Sequence, residues 1–311
     1  MSEIRENVEL KSFTTFRVGG MARYFVEVKS EEDLRKSLRW AKDRNIKTFI
    51  LGGGSNVLFS DRGCDGLVVR ICLTDQSVSP DGKVVVGAGA TLSSLVDEAS
   101  ANGLSGVERL AGIPGTVGGA VRGNAGAFGV NIGSAVVLVR ALDLETLRTS
   151  EFSKESCEFK YRSSIFKWNP NWVILSVEFQ FMPGSKPADL KHVMHDTVMD
   201  RERKHPQNLL CAGSFFMNPV VSKESIRKEF ERDTGVTLKD EKVPAGWLID
   251  HVGLRGREVG GAKVSDIHPN YIINTGSATA ESILILSSIV KQKVRAELGV
   301  ILREEVQLVG F

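Results

Sequence analysis

The chain has 311 residues, 42% hydrophobic and 25% charged, the profile of a soluble globular protein with a real core and room for two or three domains. Lys and Arg number 40 against 38 Asp and Glu, a net charge of +2 with no run of one sign. That balance argues against general nucleic-acid binding and requires any anionic ligand to be met by local positive charge.

Ser30-Glu31-Glu32-Asp33 has the hydroxyl-first, acidic pattern of a helix start, and Leu34, Leu38 and Ala41 follow at helical spacing. A strand over Lys47–Ile50, a glycine loop (LGGGSNVLF, Leu51–Phe59) and a strand over Gly66–Ile71 complete a small α/β unit. The Asp81-Gly82 turn leads into a strand, Lys83–Val86. Thr91 caps a helix carrying Leu92, Leu95, Val96 and Ala99, closed by Gly103. The run AGIPGTVGGAVRGNAGAFG (Ala111–Gly129) reads as neither helix nor central strand, because glycine loses the most backbone freedom on ordering. Strand-like runs over Val136–Leu144 and Trp172–Phe181 bracket a charged stretch and Tyr161-Arg162-Ser163-Ser164-Ile165-Phe166. After the Pro183-Gly184 break a helix is expected over Ala188–Lys204, with Leu190, Val193, Met194 and Val198 on one face. His205-Pro206 marks a domain boundary, followed by two shorter helical patterns. The last helix, Ala280–Leu298, ends at Gly299, and a strand over Val300–Val309 closes the chain.

The glycine runs make sense if the backbone itself touches a ligand, its N–H groups turned toward an anion. Two such loops in one chain suggest a dinucleotide gripped at its pyrophosphate. Neither loop matches GxGxxG or GxxxxGK[ST], which argues against Rossmann and P-loop sites. Gly52–Asn56 alone reads as an ordinary turn, whereas the second run is longer and richer in glycine than a simple connection needs. His192 and His195 stand three apart on a helix without HExxH, the pattern of an exposed helix surface, and His205, His251 and His268 are isolated. Cys64, Cys72, Cys157 and Cys211 have no CxxC spacing, so no disulfide framework and no metal site is expected. Adjacent strand residues face opposite ways, so only one of Glu304 and Glu305 could enter a site. Ser214 lacks a GxSxG context, which argues against a nucleophilic hydrolase and leaves Gly213-Ser214 as a turn. The opening MSEIRENVELK is too charged for a signal peptide, and no apolar run is long enough to span a membrane. A cytoplasmic location is therefore expected.

Taken in order, TTFRVGG, LGGGSNVL, AGIPGTVGGA with NAGAFG, YRSSIF, AGSFFMNP, AGWLID and a terminal REEV resemble the UDP-N-acetylenolpyruvoylglucosamine reductases (MurB), the flavoenzymes of peptidoglycan precursor synthesis. The resemblance runs over nearly the whole chain, in the subtype that lacks an inserted loop between Tyr161 and Pro206. It implies an α+β fold: a two-part FAD-binding region of the PCMH/vanillyl-alcohol-oxidase type (residues 1–75 and 76–203), an α/β substrate-binding domain (204–299), and a C-terminal strand (300–311) returning to the flavin side. It also implies non-covalent FAD, NADPH as co-substrate and a UDP-sugar as substrate, with no nucleic acid or membrane span involved.

By the same resemblance, Gly52, Gly53, Gly54, Ser55, Asn56, Val57 and Leu58, with Pro114, Gly115, Gly118, Gly119, Asn124 and Gly126, hold FAD. Arg162 stabilises an enolate, Glu305 donates from a protonated carboxyl, and Ser214 supplies the proton. Phe128, Tyr161, Lys204 and Asn218 match substrate-contacting positions, with Lys204 suited to the UDP phosphates. The chain departs from the family pattern at Phe128 (usually tyrosine), Met217 (usually lysine), Arg303 (usually glutamate) and Gly123 (usually a bulkier apolar residue). Two other readings compete: a flavin oxidase of the same fold class, which would not need Ser214 or Glu305, and a non-catalytic nucleotide-binding protein, which would be colourless.

Overall fold

The computed structural model describes residues 2–204, 209–238 and 240–311. In chain order it forms β1 (Arg5–Glu9), β2 (Met21–Val28), α1 (Glu31–Asp43), β3 (Thr48–Leu51), β4 (Val57–Phe59), β5 (Cys64–Ile71), β6 (Gln76–Val78), β7 (Lys83–Gly87), α2 (Leu92–Ala101) and α3 (Val117–Arg122). There follow β8 (Gly126–Ala127), β9 (Val130–Asn131), β10 (Val136–Asp143), β11 (Thr149–Ser153), α4 (Ile165–Trp168), β12 (Trp172–Gln180) and α5 (Pro187–Lys204). The remainder gives α6 (Glu224–Thr234), α7 (Ala245–His251), β13 (Glu258–Val259), β14 (Ala262–Val264), β15 (Ile272–Asn274), α8 (Ala280–Leu298) and β16 (Gln307–Val309). This is an α+β chain, and it divides into two compact units. One comprises Met1–Val8, Ala22–Gly53 and Asp65–Glu202; the other comprises Glu9–Met21, Gly54–Cys64 and Arg203–Phe311.

The first unit holds a four-stranded sheet in the order β1-β2-β5-β3 and a five-stranded sheet in the order β11-β10-β12-β7-β6. β3 and β5 run parallel, and the ladders of the five-stranded sheet are antiparallel. Its core joins Leu34 and Leu38 of α1, Leu92, Leu95 and Val96 of α2, and the buried faces of β5, β7, β10 and β12. The helices form where caps and apolar spacing agree: the Ser30 side chain accepts from the Asp33 N–H, and that of Thr91 from the Ser94 N–H. Cys64, Cys72, Cys157 and Cys211 are free thiols.

The glycine-rich run corrects one expectation. It contains a helix, α3, capped by the Thr116 hydroxyl, which accepts from the Gly119 N–H. Close packing overrides propensity here. The Val117 N–H donates to Ala90 O and the Gly118 N–H to Ala88 O, each at 2.9 Å. A β-carbon on Gly118 would lie 2.8 Å from Ala88 Cβ, so the bare backbone lets α3 lie against the end of β7.

The second unit holds the antiparallel sheet β13-β14-β15 and the parallel pair β16-β4. Ile283, Leu286, Val290 and Val294 of α8 are buried in a core shared with Phe215, Phe216, Leu248 and Ile249. α8 begins at a capping box on Thr279 and Ser282, and Gly299 ends it at φ +71°. The long closing strand read from sequence is corrected: only Gln307–Val309 forms a ladder, with an isolated bridge between Glu304 and Phe216. Val300, Leu302 and Val306 are buried, so the apolar pattern is real, but the segment divides its pairing between two partners.

Gly118→Ala is expected to cost about 1–3 kcal/mol through overpacking against Ala88. Equilibrium urea unfolding checks this as a lower midpoint with an unchanged slope.

Candidate functional site

The sequence-selected residues fall in both units. The first carries Gly52, Gly53, Pro114, Gly115, Gly118, Gly119, Asn124, Gly126, Phe128, Tyr161 and Arg162; the second carries Gly54, Ser55, Asn56, Val57, Leu58, Ser214, Asn218 and Glu305. Lys204 is the last residue of α5, and its side chain lies outside the described residues.

In the first unit the two glycine loops meet main chain to main chain. A β-carbon on Gly53 would lie 3.0 Å from Gly115 Cα, and one on Gly52 would lie 2.7 Å from Thr116 Oγ1. Gly115 holds φ +118°, a conformation open to glycine. The cradle therefore has no space for side chains and presents bare peptide groups, a surface suited to a pyrophosphate.

Against the later part of the glycine run, Tyr161 and Arg162 occupy the corner of a tight turn. The Lys160 N–H donates to Ser163 O at 3.0 Å, and the Ser163 N–H donates back to Lys160 O at 3.1 Å. Arg162 holds φ +52°, the left-handed conformation that turns usually give to glycine or asparagine. Its guanidinium donates from Nη2 to Gly126 O at 3.1 Å and lies 5.2 Å from the Tyr161 ring centroid. Asn124 supports the turn, donating from Nδ2 to Lys160 O at 3.0 Å and accepting the Gly133 N–H at 3.1 Å. Its side chain is thereby committed to the protein, and its place in the site is to hold the Arg162 turn against the glycine run.

A cavity of about 560 Å³ is lined by Lys154, Lys160, Arg162, Asn124, Asn131 and Tyr161 among others, with no carboxylate. This is the local positive charge that the balanced composition called for. The Ser163 hydroxyl beside Arg162 is buried without a hydrogen-bond partner among the described residues. The bare cradle, the cationic cavity and this orphaned hydroxyl fit a phosphate-bearing cofactor. Phe128 sits at the tip of the β8–β9 hairpin at φ +50°, with the Arg201 guanidinium 5.7 Å from its ring centroid.

Sequence reasoning missed Arg122. It ends α3, and among the described residues its guanidinium has no partner. Burial alone pushes its pKa below the ordinary arginine value. An arginine amid glycine and small residues was the available signal.

In the second unit, main-chain pairing joins the segment around Ser214 to the end of the chain. The Glu305 N–H donates to Phe215 O at 2.8 Å and the Met217 N–H to Arg303 O at 3.0 Å. Ser214 and Glu305 thus lie on paired segments. Among the described residues the Ser214 hydroxyl has no hydrogen-bond partner. Glu304 is held by Lys291, whose Nζ donates to its Oε1 at 2.6 Å. Of the neighbouring glutamates, Glu304 is thus committed to an ion pair with α8, while the main chain of Glu305 pairs with the Ser214 segment.

Asn270 fixes that segment from behind. Its main-chain oxygen accepts the Phe215 N–H at 2.7 Å, its Oδ1 accepts the Phe216 N–H at 3.0 Å, and its Nδ2 donates to Phe216 O at 2.8 Å. The first glycine loop is tied in as well: Asn56 donates from Nδ2 to Glu305 O at 3.1 Å, and its carbonyl accepts the Gln307 N–H at 3.1 Å. Val57 and Leu58 have buried side chains in β4, so only their main chain is available to a ligand. Asn218 accepts the Ala245 N–H on Oδ1 at 3.0 Å, which leaves its amide N–H groups to donate. Among the described residues there is no group of side chains fit to hold a metal ion, and no helix is long and apolar enough to cross a membrane.

Residues 22–146 match the FAD binding domain family, and residues 205–309 match the UDP-N-acetylenolpyruvoylglucosamine reductase C-terminal domain. UDP-N-acetylenolpyruvoylglucosamine reductase from Solibacter usitatus (strain Ellin6076) is 37% identical over 308 residues, covering 99% of this chain and 97% of the relative. The protein of the same name from Clostridioides difficile (strain 630) is 36% identical over 309 residues, covering 99% and 94%. The crystal structure of UDP-N-acetylenolpyruvylglucosamine reductase (MurB) from Thermus caldophilus superposes with a TM-score of 0.78 at 31% identity, covering all of both chains. Likeness over the full length in both sequence and fold places this chain in the UDP-N-acetylenolpyruvoylglucosamine reductase family.

Proposed function

We propose that this chain is a cytoplasmic FAD enzyme that uses NADPH to reduce the enolpyruvyl ether of a UDP-N-acetylglucosamine to the lactyl ether, giving UDP-N-acetylmuramate for peptidoglycan synthesis. The observation that carries this reading is the pairing of the Ser214 and Glu305 segments in the second unit, since neither residue has a use in an oxidase. The family matches over residues 22–146 and 205–309 support cofactor binding in the region up to about residue 203 and substrate binding within 204–299.

FAD, once held by the glycine loops, would supply two-electron chemistry, linking oxidation of NADPH to hydride addition at the terminal vinyl carbon of the substrate. In this reading the bare main chain of Gly52, Gly53 and Gly115 receives the pyrophosphate. Hydride addition beside a carboxylate drives negative charge onto that carboxylate, and fixed donors aimed at the growing charge lower the barrier. Arg162 is such a donor; its charge is permanent and its planar fork matches a carboxylate. The turn that holds it keeps a strained conformation, a use of strain common at functional positions. Glu305, acting as a donor, must be protonated, and Lys291 keeps the adjacent Glu304 engaged elsewhere. Ser214 gives its proton to the carbon bearing the ether oxygen, completing addition of hydride and proton across the double bond. The amide of Asn218, and Lys204 near the phosphates, orient the UDP-sugar.

Three experiments test these assignments. In anaerobic rapid mixing, Ser214→Ala is expected to keep flavin reduction by NADPH within about twofold while slowing reoxidation by the enolpyruvyl substrate by about 10²-fold or more; two normal half-reactions would remove the proton-donor role. Arg162→Asn suits the φ of its turn, so its thermal midpoint is expected to hold or rise while substrate reduction falls by about 10²- to 10³-fold; unimpaired turnover would overturn the role given to the guanidinium. Glu305→Gln is expected to keep flavin reduction by NADPH within about twofold while slowing reoxidation by the enolpyruvyl substrate by about 10- to 100-fold; wild-type rates in both half-reactions would remove the donor role given to Glu305.

A further inference from the structure

Ser214 lies between two kinds of restraint in the second unit. On its C-terminal side the chain is clamped by Asn270 and by pairing with Arg303–Glu305. On its N-terminal side Gly213 holds φ +73°, with nothing within 4 Å of where its β-carbon would stand. Such a residue does not fix orientation through a side chain of its own, so the direction of Ser214 depends on the buried Ala212 and on the last long-range hydrogen-bonded anchor before it. That anchor is at Cys211. The Thr15 hydroxyl donates to Cys211 O at 2.6 Å, a short and strong geometry for an O–H donor.

Thr15 is itself held by the first glycine loop. Its N–H donates to Gly54 O at 3.1 Å. Its hydroxyl also lies 3.4 Å from Gly54 O, but one proton serves one strong bond, and the shorter contact to Cys211 takes it. Gly54 is in van der Waals conflict with any side chain of its own: at φ +67° its β-carbon would run into Phe13 O. The loop and the Phe13–Thr15 segment are therefore fixed main chain to main chain. A ring of contacts results. It runs from Gly54 through Thr15 to Cys211 and Ser214, across the Phe215–Glu305 pair, and back through Asn56 to Gly54.

We propose that Thr15 is a positioning residue that sets the Ser214 hydroxyl relative to the Gly54–Asn56 loop, through its hydroxyl bond to Cys211. The inference rests on the reductase reading, in which Ser214 gives the proton and the loop adjoins the cofactor. Thr15 touches neither substrate nor reacting atoms in this account. It acts by closing the ring, so that the donor is already aimed when negative charge develops on the substrate, and small misplacements of such a group slow a reaction strongly.

The test compares Thr15→Val, which keeps the shape and removes the hydroxyl, with Thr15→Ser, which restores it. In the FAD-loaded enzyme, Thr15→Val is expected to slow reoxidation by the enolpyruvyl substrate by about 10- to 100-fold, with flavin reduction by NADPH within twofold of wild type and Thr15→Ser close to wild type. In a Ser214→Ala background Thr15→Val should slow the step no further, a coupling that a purely structural role would not give. Amide hydrogen exchange at Gly213 and Ser214 should quicken in Thr15→Val and recover in Thr15→Ser. If Thr15→Val fails to fold, Thr15→Ala in the same assays takes its place. Wild-type rates in Thr15→Val, or additive slowing with Ser214→Ala, would overturn the positioning role. Failure of the reductase reading shows separately, as wild-type enzyme whose reduced flavin is not reoxidised by the enolpyruvyl substrate.

Discussion

The second unit depends on one short stretch of main-chain pairing, between Phe215–Met217 and Arg303–Glu305. Phe215 and Phe216 are both buried, with ring centroids 5.0 Å apart, and Phe16 meets Phe215 edge-on at 6.5 Å. Each buried ring is worth about 1.5–3 kcal/mol, which is ample to fix the segment in depth. Register is fixed separately. A slip by one residue would exchange the faces of Glu304 and Glu305, and the ion pair between Lys291 and Glu304 opposes it. Packing sets where the strand lies, and one charge pair helps to set its register.

The first unit solves a different problem with different means. Its glycine cradle is made of what has been left out, side chains at Gly52, Gly53 and Gly115, and no carboxylate lines the cavity of Lys154, Lys160 and Arg162. The half-buried guanidinium of Arg122, its pKa lowered by desolvation, has no carboxylate partner among the described residues. A cation desolvated in this way is costly to the protein, and an anion brought beside it offsets that cost. The left-handed turn at Arg162 stores strain in the same neighbourhood.

Much of this architecture was legible in the residues. α1, α2 and α8 announce themselves because cap, apolar spacing and terminator coincide at Ser30, Thr91 and Thr279. α3 was hidden because glycine propensity points away from helix, and only the approach to Ala88 explains the choice. The last strand was overdrawn because alternating burial at Val300, Leu302 and Val306 looks the same whether one partner or two accept the hydrogen bonds. Arg162, Ser214 and Glu305 came from motif resemblance, not from spacing, because the pairing that joins the last two spans most of the chain. Thr15, Asn270 and Arg122 carry no motif chemistry of their own; each has meaning only through what lies beside it.

The second unit is assembled from three separate stretches of chain, and its innermost join has a bearing on biosynthesis. Among the described residues β4 finds its one ladder partner in β16, and Asn56 and Glu305 are 249 positions apart. On the ribosome, Val57, Leu58 and Phe59 emerge long before Gln307, Leu308 and Val309, so the edge of β4 cannot be paired by β16 until those residues are made. Closing this pair is a non-local step, and such steps are intrinsically slow because loop closure precedes the contacts that reward it.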